Sequence, residues 1–184
     1  MDKICAIIDC QGFQFKDKFI AREVAVVSDY ISQCQELDPC IEWEKLSKVD
    51  QQIIIYSTQF KHGLFYRPFN PNDYCFLYKS SDIGSVLQIW YDMIATDEKP
   101  LFGYKGYQIG KILSDNNIPC IDLEKDLNFP SYANIQEKYG DNYLCAYHKR
   151  PRNWRANKLI CALRKSGHLY REIKSKMESM ETSS

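Results

Sequence analysis

The segment Ile4-Cys-Ala-Ile-Ile-Asp9 is a short apolar run that ends in an acid. After Cys10, Gln11 and Gly12, the chain returns to an extended stretch, Phe19-Ile-Ala-Arg-Glu-Val-Ala-Val-Val27. Apolar runs of this length that are rich in Ile and Val and separated by glycine and polar residues are typical of strands joined by a turn. The beginning of the chain therefore predicts a pair of strands with the turn near Gly12.

A strand, a helix and a second strand are predicted between residues 101 and 123. Leu101 to Tyr104 and Pro119 to Leu123 have the composition of strands, and Tyr107 to Leu113 between them has that of a helix. A βαβ unit of this kind makes a parallel pair of strands. A hairpin followed by βαβ is the element order of an RNase H-like fold. We therefore expect an α/β protein with an RNase H-like mixed sheet flanked by helices.

Three further elements follow from local patterns. The β-branched run from Gln52 to Tyr56 predicts a third strand. Asp82 is in the position of an N-cap, and the apolar side chains after it are spaced three and four apart, which predicts a helix ending near Thr96. A last helix is predicted from Asn157 to about Met177, with apolar residues on one side and bases on the other.

Composition indicates a single globular domain. Of the 184 residues, 45% are hydrophobic and 26% are charged, so we expect one domain over residues 1–178 and a flexible tail over residues 179–184. No apolar run reaches the roughly 20 residues of a membrane span, and the N-terminus lacks the pattern of a signal peptide. We expect an intracellular protein, cytoplasmic or nuclear, without a membrane partner, whose eight cysteines are reduced thiols.

The charges are unevenly distributed along the chain. Residues 1–145 hold 14 bases and 21 acids, whereas residues 146–184 hold 10 bases and 3 acids. The segment from His148 to Lys158 combines five cations with one Trp, a composition that suits the phosphates and unpaired bases of single-stranded RNA or DNA. The candidate contacts are Lys149, Arg150, Arg152, Trp154, Arg155 and Lys158.

The same segment has a plainer interpretation, namely a solvated basic loop or one that is matched to the acidic first half of this chain or to a neighbouring subunit. Arg164, Lys165, Arg171, Lys174 and Lys176 would extend the positive charge along the last helix. Two tyrosines and a lysine of the βαβ unit could add a stacking surface or could belong to the core; they are Tyr104, Tyr107 and Lys105.

A possible metal site is indicated by Cys145-Ala-Tyr-His148 and by Cys161 thirteen residues after the histidine. A thiolate, an imidazole and a third soft ligand at the start of a helix make up most of a zinc shell. The spacing leaves the fourth ligand open among Glu23, Cys120 and Cys10. In the alternative interpretation, the two cysteines are buried thiols and the histidine belongs to the basic loop.

The first two predicted strands resemble those of DnaQ-type, or DEDDh, 3′–5′ exonucleases, through Asp9-Cys-Gln-Gly-Phe and through Phe19-Ile-Ala-Arg-Glu-Val. Those enzymes use several carboxylates to hold two Mg²⁺ or Mn²⁺ ions. The resemblance makes Asp9 the one candidate catalytic acid, since Gln11 is in the position of the second. No acid stands in the positions of the third and last carboxylates, which correspond to Lys105 to Ile109 and to Cys161 to Lys165. Alternatively, Asp9 is a polar strand end that caps the Gly12 turn.

The pattern Cys145-x-x-His148…Cys161-Ala-Leu is similar to the Glu-Cys-His-Cys zinc signature of the Maelstrom domain, an RNase H-like fold of the piRNA pathway that also lacks the exonuclease acids. This resemblance implies that Glu23 is the fourth ligand and that the zinc is structural. Uncharacterised proteins associated with arthropod mobile elements or viruses are similar from about Lys3 to His168. They share Phe60-Lys-His-Gly-Leu, Gly103-Tyr-Lys-Gly-Tyr and Ile121-Asp-Leu-Glu.

Three functions are compatible with these patterns. The first is a zinc-stabilised, catalytically degenerate RNase H-like domain that binds single-stranded nucleic acid, with RNA favoured, in a small-RNA or transposon-related pathway. The second is a divergent nuclease that uses Mg²⁺ or Mn²⁺, Asp9 and further acids such as Asp122 or Glu124. The third is an adaptor of a mobile element or virus whose partners are proteins. None of the three calls for a small-molecule cofactor.

Overall fold

The computed structural model describes residues 3–64, 78–95, 100–140 and 161–182. Within these ranges the chain forms six strands, which are β1 (Ile4–Gln14), β2 (Phe19–Val27), β3 (Ser32–Asp38), β4 (Tyr78–Lys79), β5 (Leu101–Tyr104) and β6 (Cys120–Asp122). The helices of the same ranges are α1 (Lys48–Phe60), α2 (Ile83–Ile94), α3 (Tyr107–Asp115), α4 (Leu123–Leu127), α5 (Tyr132–Tyr139) and α6 (Ala162–Glu181). None of them combines the length and apolar character that crossing a bilayer requires.

The strands form one mixed sheet in the order β4-β3-β2-β1-β5-β6. β1 and β3 both pair antiparallel with β2, whereas β5 pairs parallel with β1, and β6 pairs parallel with β5. The short β4 runs parallel to the end of β3. The prediction of an α/β protein with a mixed sheet flanked by helices is therefore confirmed.

Helices cover both faces of the central strands. On one face, α2 and α3 pack against β1 and β2, with Ile8 and Val24 of the strands beside Leu87 and Leu113 of the helices. On the other face, α6 packs against Ile7 through an apolar cluster that also contains parts of α4 and α5. Because successive side chains of a strand point to opposite faces, burial on both sides explains why β1 and β2 are almost continuously apolar.

The first hairpin is longer than predicted, because β1 continues through Gly12 to Gln14. The turn lies instead at residues 15–18, where the Phe15 amide donates to the Lys18 carbonyl. Gly12 lies at a shift of the β1–β2 register, and a Cβ added there would lie 2.1 Å from Ile20 O. Gly12 is therefore required by the close approach of two strands and not by a turn. The idea that Asp9 caps a turn is wrong, since Asp9 lies within the strand.

A buried histidine supports this part of β1. His62 Nε2 lies 3.0 Å from the Gly12 carbonyl, and His62 Nδ1 accepts a hydrogen bond from the Leu64 amide at 3.1 Å. Because Nδ1 is an acceptor, Nε2 carries the proton and donates to Gly12 O. His62 thus links the end of α1 to the irregular point of β1, with its ring edge-on to Phe13.

The predicted third strand from Gln52 to Tyr56 is wrong, because these residues lie within α1. Ser47 caps this helix by accepting from the Asp50 amide, and Ile54 packs against the end of the hairpin. The third strand is β3, whose sequence Ser-Gln-Cys-Gln-Glu-Leu-Asp is polar. Helix capping and packing have overridden the β propensity of the isoleucines.

The second half of the chain agrees closely with its predicted elements. β5 has the predicted bounds, and α3 and β6 differ from them by one or two residues at their ends. α2 begins after Asp82 as expected but ends at Ile94, before Thr96. α6 is described from Ala162, so the predicted helical start near Asn157 lies outside the described residues.

Candidate functional site

Asp9 lies near the middle of β1 on the face that α6 covers, and only 2% of it is exposed. Lys165, in the first turn of α6, places its Nζ 2.8 Å from Asp9 Oδ1 and also donates to the Lys105 carbonyl at 3.1 Å. The Gln11 side-chain amide donates to Asp9 Oδ2 at 2.9 Å. Burial raises the pKa of Asp9, and Lys165 and Gln11 offset part of that rise.

This arrangement does not fit a two-metal nuclease centre. Such a centre needs several carboxylates whose oxygens face two divalent ions, whereas both oxygens of Asp9 already accept hydrogen bonds. The Lys165 ammonium lies against Asp9, the one catalytic acid expected from the resemblance to the exonucleases. Its charge would repel a divalent cation at the same carboxylate.

The two other acids considered for a divergent nuclease have different partners. Asp122 Oδ1 accepts from the amides of Glu124 and Lys125 and so caps the start of α4. The Glu124 carboxylate lies 3.0 Å from Lys105 Nζ. Both acids thus support the loop and the helix that follow the parallel strands.

Glu23 of β2 is fully buried, and its carboxylate contacts the first residue of α6. Its Oε2 accepts a hydrogen bond from the Ala162 amide at 2.9 Å, which satisfies a main-chain N–H at the helix N-terminus. Its Oε1 is 3.1 Å from Cys34 Sγ and 3.8 Å from Cys161 Sγ. One carboxylate therefore joins β2, β3 and α6, and we call this group of Glu23, Cys34 and Cys161 the glutamate node.

The glutamate node bears directly on the zinc prediction. Zn–S bonds of about 2.3 Å and Zn–O bonds of about 2.0 Å, in tetrahedral geometry, place the two ligand atoms about 3.5 Å apart. The 3.8 Å between Glu23 Oε1 and Cys161 Sγ fits two ligands of one such ion. Cys145 and His148 lie outside the described residues.

Within residues 3–64, 78–95, 100–140 and 161–182, no group of three or more His, Cys, Asp or Glu side chains is arranged to hold a metal. The structure thus brings together two of the four expected zinc ligands. The other candidates for the fourth ligand, Cys10 and Cys120, pack with the core that α2 and α3 cover, on the opposite face of the sheet.

The sequence analysis did not predict the contacts of two site residues, Cys34 and Lys165. Cys34 was overlooked because its strand was not predicted; in the sheet it is the register partner of Ala25, two residues from Glu23. Lys165 was assigned to a basic surface of the last helix. That assignment is wrong for Lys165, which binds Asp9, and for Arg164, which is only 4% exposed.

All six candidate nucleic-acid contacts between Lys149 and Lys158 lie outside the described residues. Of the two tyrosines in the βαβ unit, Tyr104 packs against the core, whereas Tyr107 is 75% exposed at the start of α3. Tyr107 is therefore the aromatic side chain of this pair that a ligand can reach.

Comparisons of the chain with protein-family models, with curated proteins and with solved structures find no match.

Proposed function

We propose that this chain is a zinc-stabilised RNase H-like domain that has lost nuclease activity and binds single-stranded nucleic acid, with RNA favoured over DNA. The observation that carries the proposal is the contact between Lys165 Nζ and Asp9 Oδ1 at 2.8 Å. A lysine ammonium stands where a nuclease of this type needs a divalent cation, and Gln11 occupies the place of a second acid. The centre is thereby kept folded without a metal and has no means of activating water.

The sheet supports the RNase H-like part of the proposal. Three antiparallel strands are followed by two strands parallel to β1, with helices on both faces. This is the hairpin-then-βαβ order expected from the sequence. Asp9 lies on the first strand, as the resemblance to the exonucleases implies.

The glutamate node supports the zinc part. Glu23, Cys145, His148 and Cys161 would hold the ion, and four protein ligands leave no open position for a substrate or water, as in structural zinc sites. Such an ion would fasten the start of α6 to β2, where the Glu23 carboxylate already binds the Ala162 amide. Its contribution would be to folding and not to chemistry.

The charge distribution supports the partner. Residues 146–184 carry 10 bases and 3 acids, and the segment from Lys149 to Lys158 holds Trp154 among its cations. Phosphates bind such segments through charge and counterion release, and an aromatic ring can stack on an unpaired base.

The proposal is tested by fluorescence anisotropy with labelled oligo(U) and oligo(dT) of about 12 nucleotides at several salt concentrations. We expect binding that weakens steeply with salt. Replacing Arg150, Arg152 and Arg155 together by Gln should weaken it and reduce the salt slope by about 2. The matched control replaces three exposed lysines in or beside α1 by Gln, namely Lys45, Lys48 and Lys61. Binding that is absent, or equally weakened in both variants, contradicts the proposal.

A cleavage assay with Mg²⁺ or Mn²⁺ separates the proposed function from a divergent nuclease. We expect labelled RNA and DNA to remain intact, because the Asp9 carboxylate is engaged by Lys165 and Gln11. Degradation that disappears in Asp9→Asn would establish the nuclease instead.

A further inference from the structure

A cleft of about 360 Å³ opens where the turn after β1 meets the beginnings of α2 and α3. Its apolar lining includes Phe19, Ile83 and Ile112, and lysine and glutamine side chains line it as well. The volume is within the range of pockets that take small ligands or parts of larger ones. Among the described residues, those that line the cleft do not include the members of the glutamate node.

An exposed aromatic ring lines this cleft. Tyr107, the first residue of α3, is 75% exposed. A tyrosine ring that is this accessible contributes little to folding. An exposed aromatic ring at the edge of a cleft offers a face on which a planar group can stack. For an unpaired nucleobase, such stacking depends little on sequence, because every base has a π-face.

Lysine and glutamine side chains line the same cleft as this ring. Lys16, Lys18 and Lys111 line the cleft, together with Asp17 and Asp115. Lys111 lies 2.6 Å from Asp115, so its charge is largely offset, whereas Lys16 and Lys18 project from an exposed turn. Long, flexible cationic side chains that line the same cleft as an aromatic ring suit a phosphate backbone.

Two side-chain amides stand on the same rim. Gln108 donates from Nε2 to Gln14 Oε1 across the cleft, and Gln14 Nε2 itself donates to the Phe15 carbonyl at 2.7 Å. These bonds hold both amides in place, and their polar groups can meet the hydrogen-bonding edge of a stacked base.

We propose that the cleft binds a segment of the single-stranded nucleic acid, with one base stacked on Tyr107 and the flanking phosphates at Lys16 and Lys18. This inference rests on the proposed function and names a second contact surface for the same partner.

The experiment measures oligo(U) binding by anisotropy in variants of the cleft. Tyr107→Ala should weaken binding roughly tenfold, which is the usual loss when one base loses its stacking partner, and Tyr107→Phe should retain it. Tyr30→Ala is the matched control, since Tyr30 is 91% exposed on a different loop. Replacing Lys16 and Lys18 together by Gln should reduce the salt slope by about 1.

A gain of affinity provides an independent check. Asp115→Asn frees Lys111 from its ion pair and should tighten binding two- to threefold, an estimate of about the size expected for one added phosphate contact. Because all of these side chains are exposed, the variants are expected to fold normally, which thermal melting verifies.

The outcomes separate this inference from the proposed function. This inference alone is overturned if the native chain binds oligo(U), the variant of Arg150, Arg152 and Arg155 does not, and both cleft variants bind as the native chain does. The cleft would then not be part of the interface. If the native chain binds no single strand, both are overturned. Loss of affinity in Tyr107→Phe as large as in Tyr107→Ala would point to the phenol hydroxyl and overturn stacking. If the cleft binds an acidic peptide but not oligo(U), its partner is a protein and this inference is overturned.

Discussion

Lys165 Nζ lies 2.8 Å from Asp9 Oδ1, although 156 positions separate the two residues in the sequence. The side chains are 16% and 3% exposed, so water screens the pair only weakly. The same ammonium donates to the Lys105 carbonyl at 3.1 Å. One side chain of α6 therefore holds the middle of β1 and the loop after β5 together.

The first prediction concerns the loss of this cation. Lys165→Met keeps most of the side-chain volume but leaves a buried carboxylate without its counter-charge, which should lower the free energy of unfolding by about 3 kcal/mol. Urea denaturation measures the change. Lys174→Met is the matched control on the same helix, because the Lys174–Asp29 pair is 40% and 51% exposed and such pairs contribute less than about 1 kcal/mol. Equal losses in the two variants would contradict the prediction.

A second substitution isolates the charge. Adding Asp9→Asn to Lys165→Met should recover most of the lost stability, because a neutral amide needs no counter-charge and can still accept the hydrogen bond from Gln11. A double variant that is less stable than Lys165→Met alone would mean that the lysine acts through packing.

The second prediction concerns pH. Burial raises the pKa of Asp9 above its ordinary value of 3.8, and Lys165 lowers it part of the way back. The folded state therefore binds this proton more tightly than the unfolded chain does, so the contribution of Asp9 to stability is greatest below pH 3.8 and declines as the pH rises through the raised pKa. Without Lys165 the decline should continue to a higher pH.

The measurement is urea denaturation of the native chain and of Lys165→Met between about pH 3 and pH 7. The loss caused by the substitution should be small at the acidic end and grow with pH, by at most about 1.4 kcal/mol per pH unit. In the control, the hydrogen bond from Lys174 lowers the pKa of Asp29, so the loss in Lys174→Met also appears above the unfolded pKa but stays small. A loss in Lys165→Met that does not vary with pH would show that Asp9 is uncharged throughout.

The parts of the fold that the sequence predicted correctly are those with strong apolar patterns. β1, β2, α2 and the β5–α3–β6 unit each bury a periodic set of side chains. β3 was not predicted because its side chains are mostly polar and only Leu37 among its seven residues is buried. α1 was predicted as a strand because of its isoleucines, at positions where tertiary packing, not propensity, decides the conformation.

The candidate site, like the fold, was predicted only in part. Cys161 was named from its spacing, Glu23 was chosen among three candidates through a resemblance, and the two side chains do lie side by side. The pairing of Asp9 with Lys165 could not be read from local patterns, because it depends on how α6 crosses the sheet. Cys34 could have been suspected only after its strand had been aligned with β2. Contacts between distant segments are set by topology, which the sequence specifies only through the whole fold.

The third prediction concerns Gly12. A Cβ at this position would lie 2.1 Å from Ile20 O and 2.9 Å from Ala21 Cα, and neither backbone can move without disturbing the β1–β2 pairing. Gly12→Ala should therefore lower the free energy of unfolding by about 3 kcal/mol. Gly84→Ala is the control, since its Cβ would meet the exposed side chain of Asn116, which can rotate away, rather than the backbone of a neighbouring strand. Its loss should be less than about 1 kcal/mol, because alanine is favoured over glycine within a helix. Similar losses would mean that β2 moves aside readily.

The fourth prediction concerns zinc. Protein purified without added metal should contain about one Zn²⁺ per chain, and removing it with a chelator should lower the melting temperature, because the free energy of metal binding contributes to folding. Cys161→Ser and Cys145→Ser should each lose the metal and, with it, the response to chelator. That response distinguishes loss of zinc from a general destabilisation of the buried Cys161 position. Cys40→Ser is the control, since Cys40 is exposed.

Cys34→Ser tests how the glutamate node is shared. Cys34 Sγ is 3.1 Å from Glu23 Oε1, nearer than Cys161 Sγ, yet the zinc pattern assigns Cys34 no role. If the ligands are Glu23, Cys145, His148 and Cys161, then Cys34→Ser should keep the metal and the response to chelator, because serine can still donate a hydrogen bond to the carboxylate. Loss of zinc in Cys34→Ser with retention in Cys145→Ser would instead make Cys34 a ligand and replace the assigned set.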